Sequence, residues 1–160
     1  MSENISKPID EVINDLLVDE TKMNAKDFID FLRKNDISFD SNSDGHGWAI
    51  GGTVGNSIGY LIVNGLVDDN DMPGPWTFWF NSCDFTDSDN ISSEIKETAW
   101  SHVSPCGKCH DGWKDCGCDD RILFGKKYER LCHSPLMFNN PDKKTLDNMK
   151  QLLLIMKKDT

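Results

Sequence analysis

Between Lys34 and Lys96 the chain has no lysine or arginine, while Asp36, Asp40, Asp44, Asp68, Asp69, Asp71, Asp84, Asp87, Asp89 and Glu94 all fall in that interval. Phosphate backbones and anionic bilayer surfaces are held chiefly by cationic side chains, so nucleic-acid and membrane partners are disfavoured. Long apolar runs are also missing. The longest, Leu152 to Met156, has five residues, against the roughly 20 needed to cross a bilayer. The first twenty residues carry Glu3, Asp10, Glu11 and Asp15 and no apolar stretch of signal-peptide length. The expectation is a cytoplasmic protein. No G-x-G-x-x-G, Walker loop or G-x-S-x-G elbow occurs, and Gly51, Gly52, Gly55 and Gly59 have no lysine nearby to meet a phosphate. Nucleotide binding and serine-nucleophile chemistry therefore have no motif to rest on.

What is present suits one packed domain. The 160 residues are 38% hydrophobic and include five Trp and eight Phe, enough for a single core over residues 1–160. The net charge of −10 is unevenly spread: residues 1–95 carry 5 basic and 18 acidic side chains, and residues 96–160 carry 12 and 9. A solvated acidic face that maintains solubility accounts for the first part.

Ile9, Val12, Ile13, Leu16 and Leu17 have the spacing of one helical face, with Pro8 suited to a first turn. Asn24 is a candidate cap for a second helix with Ala25, Phe28, Ile29 and Leu32 on its stripe. Together they predict a helical hairpin over about residues 8–35. Period-two alternation then predicts a three-strand antiparallel meander through Trp48 and Ile50, Ile58, Tyr60 and Ile62, and Trp76, Phe78 and Phe80. Gly55 and Asn56 suit the first turn, and the Asp68 to Pro75 stretch suits the second. Ile91, Ile95, Ala99 and Val103 predict a third helix. A strand from about Tyr128 to Phe138 follows, and then a closing helix from Asn140 and Pro141, with Leu146, Met149, Leu153 and Met156 inward. The order predicts an α+β fold, an antiparallel sheet packed against N- and C-terminal helices, carrying a Cys-rich metal loop.

That loop, about residues 105–120, holds the chemistry. Four of the six cysteines, Cys106, Cys109, Cys116 and Cys118, fall within thirteen residues, with Cys132 following and Cys83 apart. A C-x2-C knuckle with Gly107 inside it, and further thiolates at Cys116 and Cys118, suit one tetrahedral zinc ion. Cys132 can replace Cys116 or Cys118, and His102, His110 and His133 are spare ligands. A loop this long and glycine-rich needs an internal staple, and a reducing cytoplasm disfavours disulfides. An iron–sulfur cluster needs the same thiolates and ranks behind zinc. Cys106-Gly107-Lys108-Cys109-His110 also spells the c-type haem pattern, with Met137 as a conceivable distal ligand, but haem attachment belongs outside the cytoplasm. A dithiol redox pair at Cys106 and Cys109 lacks the following helix that lowers a thiol pKa, since Asp111-Gly112 would interrupt one. Asp40 to Gly45 opens like a calcium loop, yet its twelfth position is Gly51 where a bidentate Glu belongs. Asx-turn chemistry explains those residues more simply.

The aromatic residues are the second feature. Alternation puts Trp76, Phe78 and Phe80 on one sheet face and Trp79 on the other, grouped with Trp48 and Tyr60. Core packing explains most of them; the sharper reading is an aromatic pocket for an apolar or cationic ligand built from Trp48, Tyr60, Trp76 and Trp79.

Pro73-Gly74-Pro75-Trp76, Cys106 to Cys118, Phe124-Gly125-Lys126, Cys132 and Asn139-Asn140-Pro141 resemble small uncharacterised bacterial proteins that pair a Cys/Gly-rich loop with a following strand and terminal helix. The resemblance implies no activity and transfers no catalytic residue. The sequence thus points to a non-enzymatic, zinc-stabilised module that binds a small molecule or a protein. A thiol or metal-handling enzyme using Cys106 and Cys109, or a small-molecule sensor using the aromatic pocket, are the rivals.

Overall fold

Among the described residues of the computed structural model, four helices, α1 (Ile9–Leu16), α2 (Asp19–Lys34), α3 (Ser93–Ser101) and α4 (Lys143–Lys158), accompany seven strands. The strands are β1 (Phe39–Ser41), β2 (Gly47–Ile50), β3 (Gly59–Val63), β4 (Trp76–Phe80), β5 (Asp119–Leu123), β6 (Lys126–Leu131) and β7 (Met137–Asn139). The structure describes residues 7–41, 47–52, 56–63, 75–82, 91–103, 119–131 and 135–158. Five strands form an antiparallel sheet in the order β1-β2-β3-β4-β7, and β5 and β6 form a separate ribbon. The fold is α+β, as the order of periodicities requires.

Register assigns the sheet's two faces. Trp48, Leu61, Phe78 and Phe138 are successive cross-strand partners, as are Val63 and Trp76 one step along. Cross-strand partners share a face. This face joins Ile9, Val12 and Ile13 of α1, Phe28, Ile29 and Leu32 of α2, Ala99 of α3, and Leu146, Met149 and Leu153 of α4 in one apolar core. The opposite face carries the row Asp40, Ala49, Tyr60, Trp79, Met137.

Several boundaries differ from the sequence expectation. α2 begins at Asp19, not beside Asn24, and its N-cap Val18 makes no side-chain cap bond. The acidic Asp19 and Glu20 in the first turn supply the favourable dipole interaction instead. Asn24 is a buried interior residue whose Nδ2 donates to the Pro141 carbonyl at 3.4 Å, tying α2 to the entry of α4. A polar side chain is accepted there because it finds a partner. Leu16, expected on the buried stripe, is 40% exposed, and Leu17 takes the inward position. The closing helix begins at Lys143, with the Asp142 side chain accepting from Thr145 N at 2.8 Å.

The single strand expected from Tyr128 to Phe138 is two. β6 ends at Leu131 and pairs with β5, whereas β7 starts at Met137 and joins β4. Between them lies Pro135, which has no N–H to give a ladder. β5 was hidden by its polar start, Asp119-Asp120-Arg121. Its hairpin turns at Phe124 and Gly125, both at positive φ (47° and 85°), as a two-residue turn that follows strand twist requires. A left-handed aromatic residue is disfavoured, but Phe124 is buried against the core, and Trp100 Nε1 of α3 donates to the Leu123 carbonyl at 2.8 Å. Burial offsets the backbone cost and docks the ribbon tip on α3.

Charged clamps finish the helix packing. Lys150 of α4, its side chain only 11% exposed, donates to Asp27 Oδ2 of α2 at 2.6 Å, and Lys143 reaches the same oxygen at 3.2 Å. Burial pushes the Asp27 carboxyl up, but hydrogen bonds from Lys150 and Lys143 outweigh it and hold the pKa below the ordinary value. Hydrogen bonds from Arg33 lower Asp10 likewise, and Thr145 lowers Asp142. A carboxyl whose folded pKa is depressed contributes stability above its unfolded pKa, near 3.9, and loses it as pH falls through the folded value. The urea midpoint is therefore expected to hold from pH 7 to about 5 and decline below about 4. Asp27→Asn should flatten that decline, and parallel curves for the variant and the parent would remove Asp27 from the account.

Candidate functional site

Trp48 is where a sequence-predicted residue meets a cavity. A groove of about 350 Å³ is lined by Lys7, Pro8, Ile9, Asp10, Arg33, Phe39, Asp40, Ser41 and Trp48. It lies where the start of α1, the end of α2 and edge strand β1 meet. Arg33 closes a two-toothed ion pair on Asp10, at 3.1 Å to Oδ1 and 2.5 Å to Oδ2, and its guanidinium sits 5.4 Å from the centre of the Phe39 ring. Hydrogen bonding to Asp10 raises the Arg33 pKa and Arg33 lowers that of Asp10, so both stay charged through the physiological range. The groove is thus open, with Phe39 and Pro8 beside the paired Arg33 and Asp10 charges and with Trp48 and Ile9 buried beneath it.

The four aromatic candidates do not converge. Trp48 is 4% exposed and shares the core face with Phe78, not the Trp79 face expected for it, because its register partner is Leu61. Trp76 is fully buried and stacks on Phe28 at 5.8 Å; its Nε1 has no hydrogen-bond partner among the described residues. Tyr60 and Trp79 are register partners on the opposite face, half-buried, with ring centroids 5.1 Å apart. The two rings are tilted by 34° to each other, and Tyr60 lies two strands from Asp40 in its row. A single pocket holding all four is therefore excluded by the register, since an odd step along a strand reverses the face.

Cys106, Cys109, Cys116, Cys118 and Cys132 lie outside the described residues, as do Cys83, His110, His133 and Asp44 of the calcium-like opening. Among the described residues no group of three or more His, Cys, Asp or Glu is gathered to hold a metal ion. What is described is the frame around the cysteines. Val103, the residue before the 104–118 segment, bridges Leu136, and Met137 N donates to the His102 carbonyl at 3.1 Å. At the other end Asp119, the residue after Cys118, is the register partner of Leu131, the residue before Cys132. A register shift between Asp119 and Arg121 marks a bulge, where Arg130 adopts φ 52° and the Asp120 carboxylate accepts from Arg130 N at 3.2 Å.

His102 terminates α3. Its backbone N donates to the Ala99 carbonyl and its Nδ1 lies 2.7 Å from the Thr98 carbonyl, while its ring stacks on Phe138 with centroids 4.5 Å apart and planes 17° from parallel. A carbonyl only accepts, so Nδ1 carries a proton in this contact. The groove residues Lys7, Asp10, Arg33 and Phe39 carry no local sequence signal, because the ion pair that shapes the site joins positions 23 apart.

The chain matches no protein-family model, no curated protein and no solved structure. No helix among the described residues is long and apolar enough to cross a membrane.

Proposed function

We propose that the chain is a small binding module whose Cys-rich segment is stapled by one zinc ion. The observation that carries this reading is the frame. Val103, just before the 104–118 segment, bridges Leu136, and Asp119, just after it, pairs with Leu131, while only the short stretch 132–134, with Cys132 in it, separates Leu131 from Pro135. Cys118 and Cys132 are therefore covalently next to a register pair, and the residues flanking the segment that carries Cys106, Cys109 and Cys116 are each paired with one end of the short 131–136 stretch. A chain closed in this way lowers the entropy cost of bringing four thiolates to one tetrahedral centre. Zinc would be structural, with its binding energy spent on ordering a segment that lacks apolar periodicity. An iron–sulfur cluster asks for the same thiolates and is the alternative.

Counting reactive thiols tests this. About four of the six cysteines should resist alkylation in the native protein and become reactive after a chelator is added. Six reactive thiols before chelation would defeat the proposal, and one hyper-reactive thiol would favour the redox alternative at Cys106.

The groove at Trp48 supports a second element of the reading, recognition of a small ligand by apolar walls and the Arg33 and Asp10 charges. In a metabolite panel followed by thermal shift, a ligand of this groove should lose its shift in Arg33→Met. Shifts that survive that substitution would place binding elsewhere.

A further inference from the structure

β1 ends the sheet, with β2 on one side and no strand among the described residues on the other. Its phase is set by the 2.8 Å bond from Gly51 N to the Ser38 carbonyl, since Ser38 and Gly51 stand opposite each other one step before Phe39 and Ile50. Bonded and non-bonded pairs alternate along an antiparallel ladder. Asp40 therefore bonds Ala49, and Phe39 turns its N–H and carbonyl to the outer edge, where no described residue engages them. The groove runs beside that edge, under Lys7 and Pro8 at the start of α1 and Arg33 at the end of α2. A strand laid against β1 would alternate its side chains. Those on either side of the Asp40 position would enter the groove beside Phe39 and Pro8, and the one opposite Asp40 would lie on the far face, next to that carboxylate.

The charges select what can lie there. Both cations of the groove already have carboxylate partners, Arg33 with Asp10 and Lys7 with Asp15 at 3.4 Å. Asp40 is exposed and has no ion pair among the described residues, and no lysine or arginine follows it before Lys96. Two copies of β1 paired antiparallel about Asp40 would set the carboxylate against its own copy, which is unfavourable. A cation opposite Asp40 is favoured for the same reason.

We propose that the groove and the β1 edge together take an extended peptide as an added strand, antiparallel to β1. A lysine or arginine stands opposite Asp40, and the apolar residues flanking it point into the groove. This rests on the groove reading above and names the ligand's chemistry. The Phe39 backbone gives affinity that ignores sequence, while Asp40 and the groove select the apolar-basic-apolar alternation.

The probe is acetyl-Thr-Val-Lys-Val-Thr-amide, titrated to about 1 mM into the nitrogen-15-labelled full chain. Amide shifts should centre on residues 39–41, and the Phe39 amide should exchange more slowly with solvent. The same peptide with glutamate for lysine should bind about threefold or more weakly. In Asp40→Lys, an exposed substitution whose fold is checked by circular dichroism, that preference should invert. The valine after the lysine stands opposite Phe39, so methylating its amide nitrogen should abolish binding. Methylating the lysine amide, which faces away from β1, should not. No binding, equal affinity for the two peptides, shifts away from residues 39–41, or a Phe39 amide already protected in the free protein would overturn the proposal. If it fails while small-ligand shifts are still lost in Arg33→Met, the groove reading stands; failure of both readouts removes the groove as a site.

Discussion

Replacing Phe28 with alanine is expected to lower stability by about 3–5 kcal/mol, the range for deleting a large aromatic side chain from a packed interior. Phe28 is fully buried at the point where α2 meets the sheet. Its ring stacks on Trp76 at 5.8 Å, meets Phe78 edge-on at 5.3 Å and lies 6.5 Å from Phe31. Truncation removes apolar burial and these aromatic contacts together, and neighbours held in strand register cannot collapse into the space. For a chain of this size the loss corresponds to a fall in melting temperature of roughly 6–20 °C. Chemical unfolding of Phe28→Ala and Phe28→Leu checks it, the leucine variant recovering more than half of the loss. A change below about 1 kcal/mol for the alanine variant would mean that α2 is not seated on the sheet as described.

Gly59→Ala should be comparably damaging although it adds a single methyl. Gly59 sits in β3 between Ile50 and Phe80, and a Cβ placed there would lie 2.3 Å from Phe78 Cζ and 2.7 Å from the Trp79 carbonyl oxygen. The Phe78 ring cannot withdraw easily, because it is fully buried between Phe28 and Phe80. The backbone oxygen belongs to the neighbouring strand of the ladder. Overpacking of this kind costs about 1–3 kcal/mol and more where backbone must move. A drop of about 3 kcal/mol in unfolding free energy is expected. The control is Gly125→Ala at the ribbon turn, where no atom lies within 4 Å of the new methyl and only the φ of +85° opposes it. It should cost about 1 kcal/mol. Equal losses at the two positions would contradict the packing at Gly59.

These two residues show which parts of the fold a sequence can announce. Phe28 was legible because it sits on an uninterrupted helical stripe with Ala25, Ile29 and Leu32, and the meander was legible because Trp48 and Ile50, Ile58, Tyr60 and Ile62, and Trp76, Phe78 and Phe80 recur at period two, although within β3 it is Leu61 and Val63, not Tyr60 and Ile62, that face the core. Gly59 was not legible as a packing position, since the ring that fills its place comes from another strand. Asn24 misled in the same way: its cap propensity is local, whereas its partner, the Pro141 carbonyl, is 117 residues away. β1 has only three residues and β5 begins with three charged ones, so neither offers a periodic pattern long enough to read. Trp48 was assigned to the wrong face because the face of β2 relative to β4 depends on register across β3, which alternation within one strand does not determine. The candidate site divides similarly. In the sequence the cysteines stand out by density and spacing, whereas the Arg33 and Asp10 pair that shapes the groove exists only once α1 and α2 have packed.

The zinc staple is the claim on which the module's organisation depends, and elemental analysis of the purified untagged protein with a visible absorption spectrum tests it directly. One equivalent of zinc and no visible absorption are expected, with loss of the metal loosening the 104–118 segment while the core around Phe28 stays folded. Iron with colour would replace zinc by a cluster, and a colourless, metal-free protein with an unchanged fold would contradict the account.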